Sequence, residues 1–184
     1  MSIDEATIAE IVKELASTGV YVDESLAGRL PPAFQAELRD QVASSKQPVF
    51  IAMVPVGRDD PDFHGDNELL AGVLHSDLGE NGVYLTYRQI TDSVEGTGFG
   101  VGYGLHDAWF AARKEHPGDL QKQLFKTVTY LNTGEGGEVY ERLREQEEQQ
   151  QGQSGTSQPH YGANDDGNGV PVAGWLVIAL LLAG

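Results

Sequence analysis

The sequence predicts an α/β protein in which helices cover both faces of a mainly parallel sheet. Two observations lead to this fold class. Between Val20 and Tyr87, short β-prone runs alternate with segments whose apolar residues recur at helical spacing, and a β-α-β-α-β order needs right-handed crossovers that place helices over a parallel sheet. The run VFIAMVPV, residues 49–56, is almost wholly apolar, as in strands that are buried on both faces. We therefore expect an α/β/α sandwich over residues 1–144.

The elements before this central run are predicted from local patterns. Apolar residues at helical spacing in residues 8–15 predict a first helix, and Ser2 with Glu5 fits a capping box at its start. The run VYV, residues 20–22, predicts a short strand. Pro32 suits the first turn of a second helix, because that turn does not use the missing N–H.

The elements after the central run follow the same alternation. Residues 69–78 predict a third helix, which Gly79 would end. The run VYLTY, residues 83–87, predicts another strand, residues 120–131 a helix, and residues 139–143 a weaker one. The apolar residues that define the third helix are Leu69, Leu70, Val73, Leu74 and Leu78.

Glycine alternates with larger residues in GTGFGVGYGL, residues 96–105. This pattern predicts a structural turn in which backbones approach closely or adopt unusual dihedral angles. No G-x-G-x-x-G or Walker A pattern is present in the sequence. We therefore expect no nucleotide cofactor.

Two segments of contrasting composition follow the domain. Residues 145–169, EQEEQQQGQSGTSQPHYGANDDGNG, are Gln- and Gly-rich and carry too few apolar side chains to fold, which predicts a disordered linker. Residues 170–184, VPVAGWLVIALLLAG, carry no charge. They are shorter than the roughly 20 residues of a full span, so we predict the start of a transmembrane helix that continues further. A buried helix of the soluble domain is the alternative.

The charge of the chain limits its partners. The sequence has 28 acidic and 12 basic residues, which give a formal net charge of −16. It contains no cysteine. Scattered basic residues do not neutralise phosphates, so we expect no nucleic-acid partner. A surface of this charge is repelled by anionic lipids, which predicts that the domain stands off the bilayer. The missing cysteines exclude thiolate metal sites and cysteine nucleophiles.

The loop DDPDFHGDNE, residues 59–68, has acids at alternate positions and Gly65 at the sixth, as in an EF-hand. The template requires a bidentate acid at the twelfth position, where this chain has Ala71. We therefore predict a solvated acidic loop and not a calcium site.

Three segments, in order, resemble the TPM domain, a membrane-anchored α/β module of bacteria and chloroplasts. They are VYVDESLAGRLPPAFQAELRDQV at residues 20–42, LHSDLGENGVYLTY at residues 74–87 and VGYGLHDAW at residues 101–109. The chain departs from the family where Glu80 replaces the usual aspartate. The resemblance implies a sheet sandwiched by helices and anchored to the cell membrane, with the side of the soluble domain undecided.

The resemblance also implies a set of candidate site residues. It offers Asp23 and Asp107 as acids that gather with the turn formed by Glu80 and Asn81. Oxygen ligands of this kind suit Ca²⁺ or Mg²⁺, the two cofactors considered. The alternative is that Asp23 and Asp107 only cap helices or turns.

We expect a membrane-tethered accessory domain that binds protein partners and does no catalysis. The sequence has no G-x-S-x-G elbow to supply a serine nucleophile and no H-E-x-x-H zinc motif. Family members described as phosphatases or calcium binders suggest the alternative. In that case the domain would be a divalent-metal-dependent phosphatase or a calcium-binding domain that uses Asp23 and Asp107.

Overall fold

The computed structural model describes residues 3–102 and 104–154. Within them, four strands form one sheet in the order β1-β2-β3-β4. The first three strands are parallel, and β4 runs antiparallel to β3. The strands are β1 Val20–Val22, β2 Val49–Met53, β3 Gly82–Arg88 and β4 Ser93–Phe99. The α/β fold with a mostly parallel sheet is therefore confirmed.

Six α-helices occur in this part of the chain: α1 Glu5–Thr18, α2 Pro32–Ala43, α3 Asn67–Leu78, α4 Leu105–Glu115, α5 Leu120–Thr133 and α6 Gly136–Ser154. The predicted β-α-β-α-β order is present from β1 to β3, with α2 and α3 as the crossovers. The predicted capping box is wrong, because Asp4 caps α1 and its carboxylate accepts from the Thr7 N–H at 2.8 Å.

Two apolar cores lie on opposite faces of the sheet, because neighbouring residues of a strand point to opposite sides. Ile51 and Leu85 belong to a core that includes residues of α2 and α5. Their neighbours Ala52 and Tyr84 belong to a core that includes residues of α1 and α3. Helices thus pack on both faces.

The prediction of a turn at residues 96–105 is wrong in its first part, because Gly96 and Gly98 lie in β4. Side chains, and not a second backbone, approach Gly96 closely, because a Cβ there would lie 3.0 Å from Leu105 Cδ1 and 3.2 Å from Trp109 Cδ1. Unusual dihedral angles are confirmed at Gly100 and Gly104, whose φ angles are positive. Glycine therefore lets α4 pack directly against the edge strand.

Helix α6 continues to Ser154. The prediction of a disordered linker is therefore wrong for residues 145–154. The rest of the predicted linker and the predicted membrane segment, residues 170–184, lie outside the described residues. Among the helices that the structure does describe, none is long and apolar enough to cross a membrane.

Candidate functional site

Asp23 caps the short 3₁₀-helix Glu24–Leu26 that follows β1. Its side chain is buried. Its carboxylate accepts hydrogen bonds from the N–H of Ser25, at 2.9 Å, and from the Ser25 hydroxyl. The capping alternative therefore accounts for Asp23.

The turn of Glu80 and Asn81 is tied to its neighbours at the start of β3. Asn81 Oδ1 lies 3.2 Å from His75 Nε2, and the His75 ring stacks on Phe99 with centroids 4.1 Å apart. The Glu80 carbonyl accepts from the Tyr84 hydroxyl at 2.7 Å. Burial, helped by the Glu80 charge, raises the pKa of Tyr84 to about 12. These contacts join α3, β3 and β4.

The structure does not bring the four predicted ligands together. Asp23 follows β1, the strand at one edge of the sheet, whereas Asp107 lies in α4, which packs on β4 at the other edge. Asp107 lines a cavity with Gln47 and Val83, at the ends where β2 and β3 begin. In the described part of the chain, no group of three or more His, Cys, Asp or Glu residues could hold a metal ion.

A groove of about 350 Å³ between α1 and α3 is the better candidate site. Ile3, Ile8 and Phe63 are buried and form its floor. Leu69 and Val73 form one wall on α3 and are 51% and 37% exposed. They lie four residues apart and therefore on one face of the helix. Their exposed surface is contiguous with the groove, so a ligand could cover it.

Asp60 holds this groove together. Its buried carboxylate accepts from the N–H of Ile3 at 2.8 Å, of Phe63 at 2.9 Å and of Asp62 at 3.0 Å. Burial alone would raise the pKa of Asp60, but these three donors lower it below the ordinary value. The charged carboxylate thus fixes the N-terminal segment against the loop before α3.

Acidic side chains surround the apolar groove. Asp4, Glu5, Asp62 and Asp77 line it and are exposed, and no Lys, Arg or His is among the described residues of its lining. Hydrogen bonds from the hydroxyl and N–H of Thr7 lower the pKa of Asp4. The rim is therefore negatively charged at neutral pH, which suits a ligand that combines apolar and basic groups.

Sequence patterns did not reveal this groove. The five apolar residues that predict the third helix give no sign of which of them stay exposed, and only Leu70 and Leu74 among them are fully buried. The width of the stripe that they form was still a usable signal, because one helix face cannot bury every position of it. The loop at residues 59–68 was predicted to be solvated, but Asp60 and Phe63 are buried.

No protein-family model, no curated protein and no solved structure matches this chain. Its function is therefore inferred from its own residues.

Proposed function

We propose that this chain is a membrane-tethered accessory domain, similar to TPM domains, that binds a protein partner without catalysis. The groove between α1 and α3 is the docking site, and its occupant is a basic amphipathic helix of the partner. The observation that carries the proposal is the pairing of exposed Leu69 and Val73 with an entirely acidic rim.

The apolar part of the groove supplies the binding energy. Leu69 and Val73 present surface that a partner helix can cover with apolar residues at positions i, i+3 and i+4, as in other helix-in-groove complexes. Complete burial of one large apolar side chain contributes about 1.5–3 kcal/mol. Two partly exposed side chains over buried Ile3, Ile8 and Phe63 therefore support a transient complex more readily than a permanent one.

The rim selects the charge of the occupant. The four carboxylates of the described lining, which holds no Lys, Arg or His, attract Lys and Arg side chains that flank an apolar stripe. A second copy of this chain would bring an identical acidic rim against the first, and like charges would repel. An anionic lipid surface is disfavoured for the same reason.

The alternative function, a phosphatase or a calcium-binding domain that uses Asp23 and Asp107, gains no support from the geometry. The two acids lie at opposite edges of the sheet, and Asp23 caps a turn. One bound cation cannot contact both carboxylates in this arrangement, because its oxygen ligands must lie within about 2.6 Å.

The test is a titration of the full chain into two fluorescent synthetic amphipathic helices, one of leucine and lysine and one of leucine and glutamate. We expect the lysine peptide to bind and its affinity to fall as salt rises, because salt screens the exposed rim. The double variant Leu69→Gln, Val73→Gln should bind about tenfold or more weakly, given the apolar surface removed.

Phe125→Gln is the matched control, since Phe125 is also an exposed apolar residue but lies on α5, outside the groove. It should leave the affinity unchanged. Equal binding of both peptides, or equal losses in the control and the double variant, would rule out this docking site.

A further inference from the structure

A polar cavity of about 510 Å³, which shares no residue with the docking groove, lies at the carboxyl end of β3. It is enclosed by the segment before and at the start of α3, residues 64–68, and by residues of β3 and β4. Its volume is within the 300–1,000 Å³ usual for small-ligand sites. The carboxyl end of the strands is also where open α/β sheets bind ligands.

One residue that lines this cavity, Asn67, has a buried side-chain N–H donor without a hydrogen-bond partner in the described part of the chain. Asn67 is 4% exposed, and the donor atom is its Nδ2. A buried donor without a partner costs about 1–3 kcal/mol. Asn67 does not cap α3, because Asp66 does so by accepting from the N–H groups of Glu68 and Leu69 at 2.9 and 3.2 Å. A ligand acceptor in the cavity would supply the missing partner.

The strands add further polar groups. Thr86 is 2% exposed and is the register partner of Glu95, so a hydroxyl and a carboxylate from neighbouring strands line the cavity side by side. Arg88 forms an ion pair with the same Glu95. Trp109, which is 8% exposed, lines the cavity from the α4 side. Donors, acceptors and the Trp109 ring therefore line a single space.

The charges of the lining argue against an anionic ligand. Asp66, Glu68 and Glu95 supply three carboxylates, and the one guanidinium, that of Arg88, is already paired. The first N–H groups of α3, which would otherwise attract a phosphate, are occupied by Asp66. A neutral ligand rich in hydroxyls fits instead, because each hydroxyl can donate to a carboxylate and accept from an amide or guanidinium.

We infer that this cavity binds a neutral saccharide unit, with Asn67 Nδ2 donating to a sugar oxygen. Thr86 and Glu95 bind neighbouring hydroxyls, and Trp109 packs against the apolar C–H groups of the ring. The site is independent of the docking groove, so either proposal can fail without the other.

The test is an NMR titration of the full ¹⁵N-labelled chain with D-glucose, D-galactose, D-mannose and N-acetyl-D-glucosamine, and separately with inorganic phosphate and acetate. At least one sugar should give saturable shifts at residues 64–68 and in β3 and β4, and the anions should give none there. Asn67→Ala should weaken the affinity about tenfold, which corresponds to the loss of about one hydrogen bond.

Thr86→Val provides a second variant that keeps the shape of the side chain and removes only the hydroxyl, and it decides the matter if Asn67→Ala does not fold. Asn132→Ala is the control, because the Asn132 amide bonds to Ser45 and Lys46 outside this cavity. It should bind the sugar normally, as should Leu69→Gln, Val73→Gln. The inference is overturned if no sugar saturates, if phosphate or acetate binds in its place, or if folded Asn67→Ala and Thr86→Val bind like the unaltered chain.

Discussion

The carboxylate of Asp60 illustrates how single residues shape this molecule. It is 1% exposed and accepts three backbone N–H groups. Nothing in the run DDPDFHGDNE, residues 59–68, distinguishes Asp60 from Asp59 and Asp62, yet Asp59 and Asp62 are exposed. Residue type and spacing predicted a polar loop correctly but did not predict which acid turns inward, because that depends on Ile3, 57 residues away along the chain.

Replacing this carboxylate should reduce stability in a pH-dependent way. In Asp60→Asn the amide keeps one acceptor but loses the charge and adds a donor without a partner, so we expect a loss of about 1.5–3 kcal/mol at pH 7. The N–H donors lower the pKa of Asp60 below its ordinary value of 3.8 in the folded protein. Its stabilisation is therefore complete above that pH and is lost as the pH falls through the lowered pKa.

Urea unfolding of the full chain and of Asp60→Asn at pH 7 and at steps below pH 4 measures this difference. The two stability curves should converge towards the acid end. Asp59→Asn is the control, because Asp59 belongs to the same loop and is exposed. A constant difference at every pH would show that charge on Asp60 is not the cause.

Local sequence patterns also failed to predict where the proposed metal ligands lie in the fold. The resemblance to TPM domains grouped Asp23 with Asp107, but the order of the strands in the sheet decides whether two such residues meet. Strand β4 lies next to β3, at the opposite edge from β1, and α4 packs on it, so Asp107 is carried away from Asp23. Local patterns contain no information about that placement.

At the scale of elements, strands and helices with strong periodicity were predicted and β4 was not. The β-α-β-α-β order follows from long apolar stripes and β-branched runs. Strand β4, SVEGTGF, has glycine at two of the positions that face α4, where an apolar residue would have marked a strand. The start of the linker was misplaced because α6 extends through a polar segment that offers little surface for burial.

The glycines of β4 should be intolerant of side chains. In Gly96→Val, the new Cβ would lie 3.0 Å from Leu105 Cδ1 and 3.2 Å from both Leu85 Cδ2 and Trp109 Cδ1, so these three side chains must give way. Overpacking of this kind costs about 1–3 kcal/mol. Thermal and urea unfolding of the full chain should show this loss.

Gly72→Ala in α3 is the matched control. A Cβ at Gly72 meets nothing within 4 Å, and alanine in a helix is favoured over glycine by about 0.5–1 kcal/mol. We expect this variant to be slightly more stable than the unaltered chain. If Gly96→Val is as stable as Gly72→Ala, α4 does not depend on close contact with β4.

At the scale of the whole molecule, one property connects both proposed sites. The net charge of −16 makes anions unfavourable near the domain and cations favourable. The docking groove concentrates this charge around exposed apolar side chains, and the cavity beside α3 pairs its one guanidinium internally. A basic helix and a neutral sugar, the two ligands proposed, are both compatible with this acidic surface.

The proposed membrane anchor at residues 170–184 can be tested by cell fractionation. Residues 170–184 are uncharged and apolar but shorter than a full span of about 20 residues, so the chain, produced in bacteria together with the residues that complete the predicted span, should remain with the membrane fraction after an alkaline carbonate wash. A chain that stops at residue 154 retains every described element and should be recovered in the soluble fraction. The full-length variant Ile178→Lys, Leu181→Lys is the sharper control, because each charge near the centre of a span costs about 2.5–3.5 kcal/mol. It should leave the membrane although its length is unchanged. If the unaltered chain is washed off by carbonate, or if the lysine variant stays bound as firmly, the apolar segment is not the anchor and the docking groove must act away from a membrane.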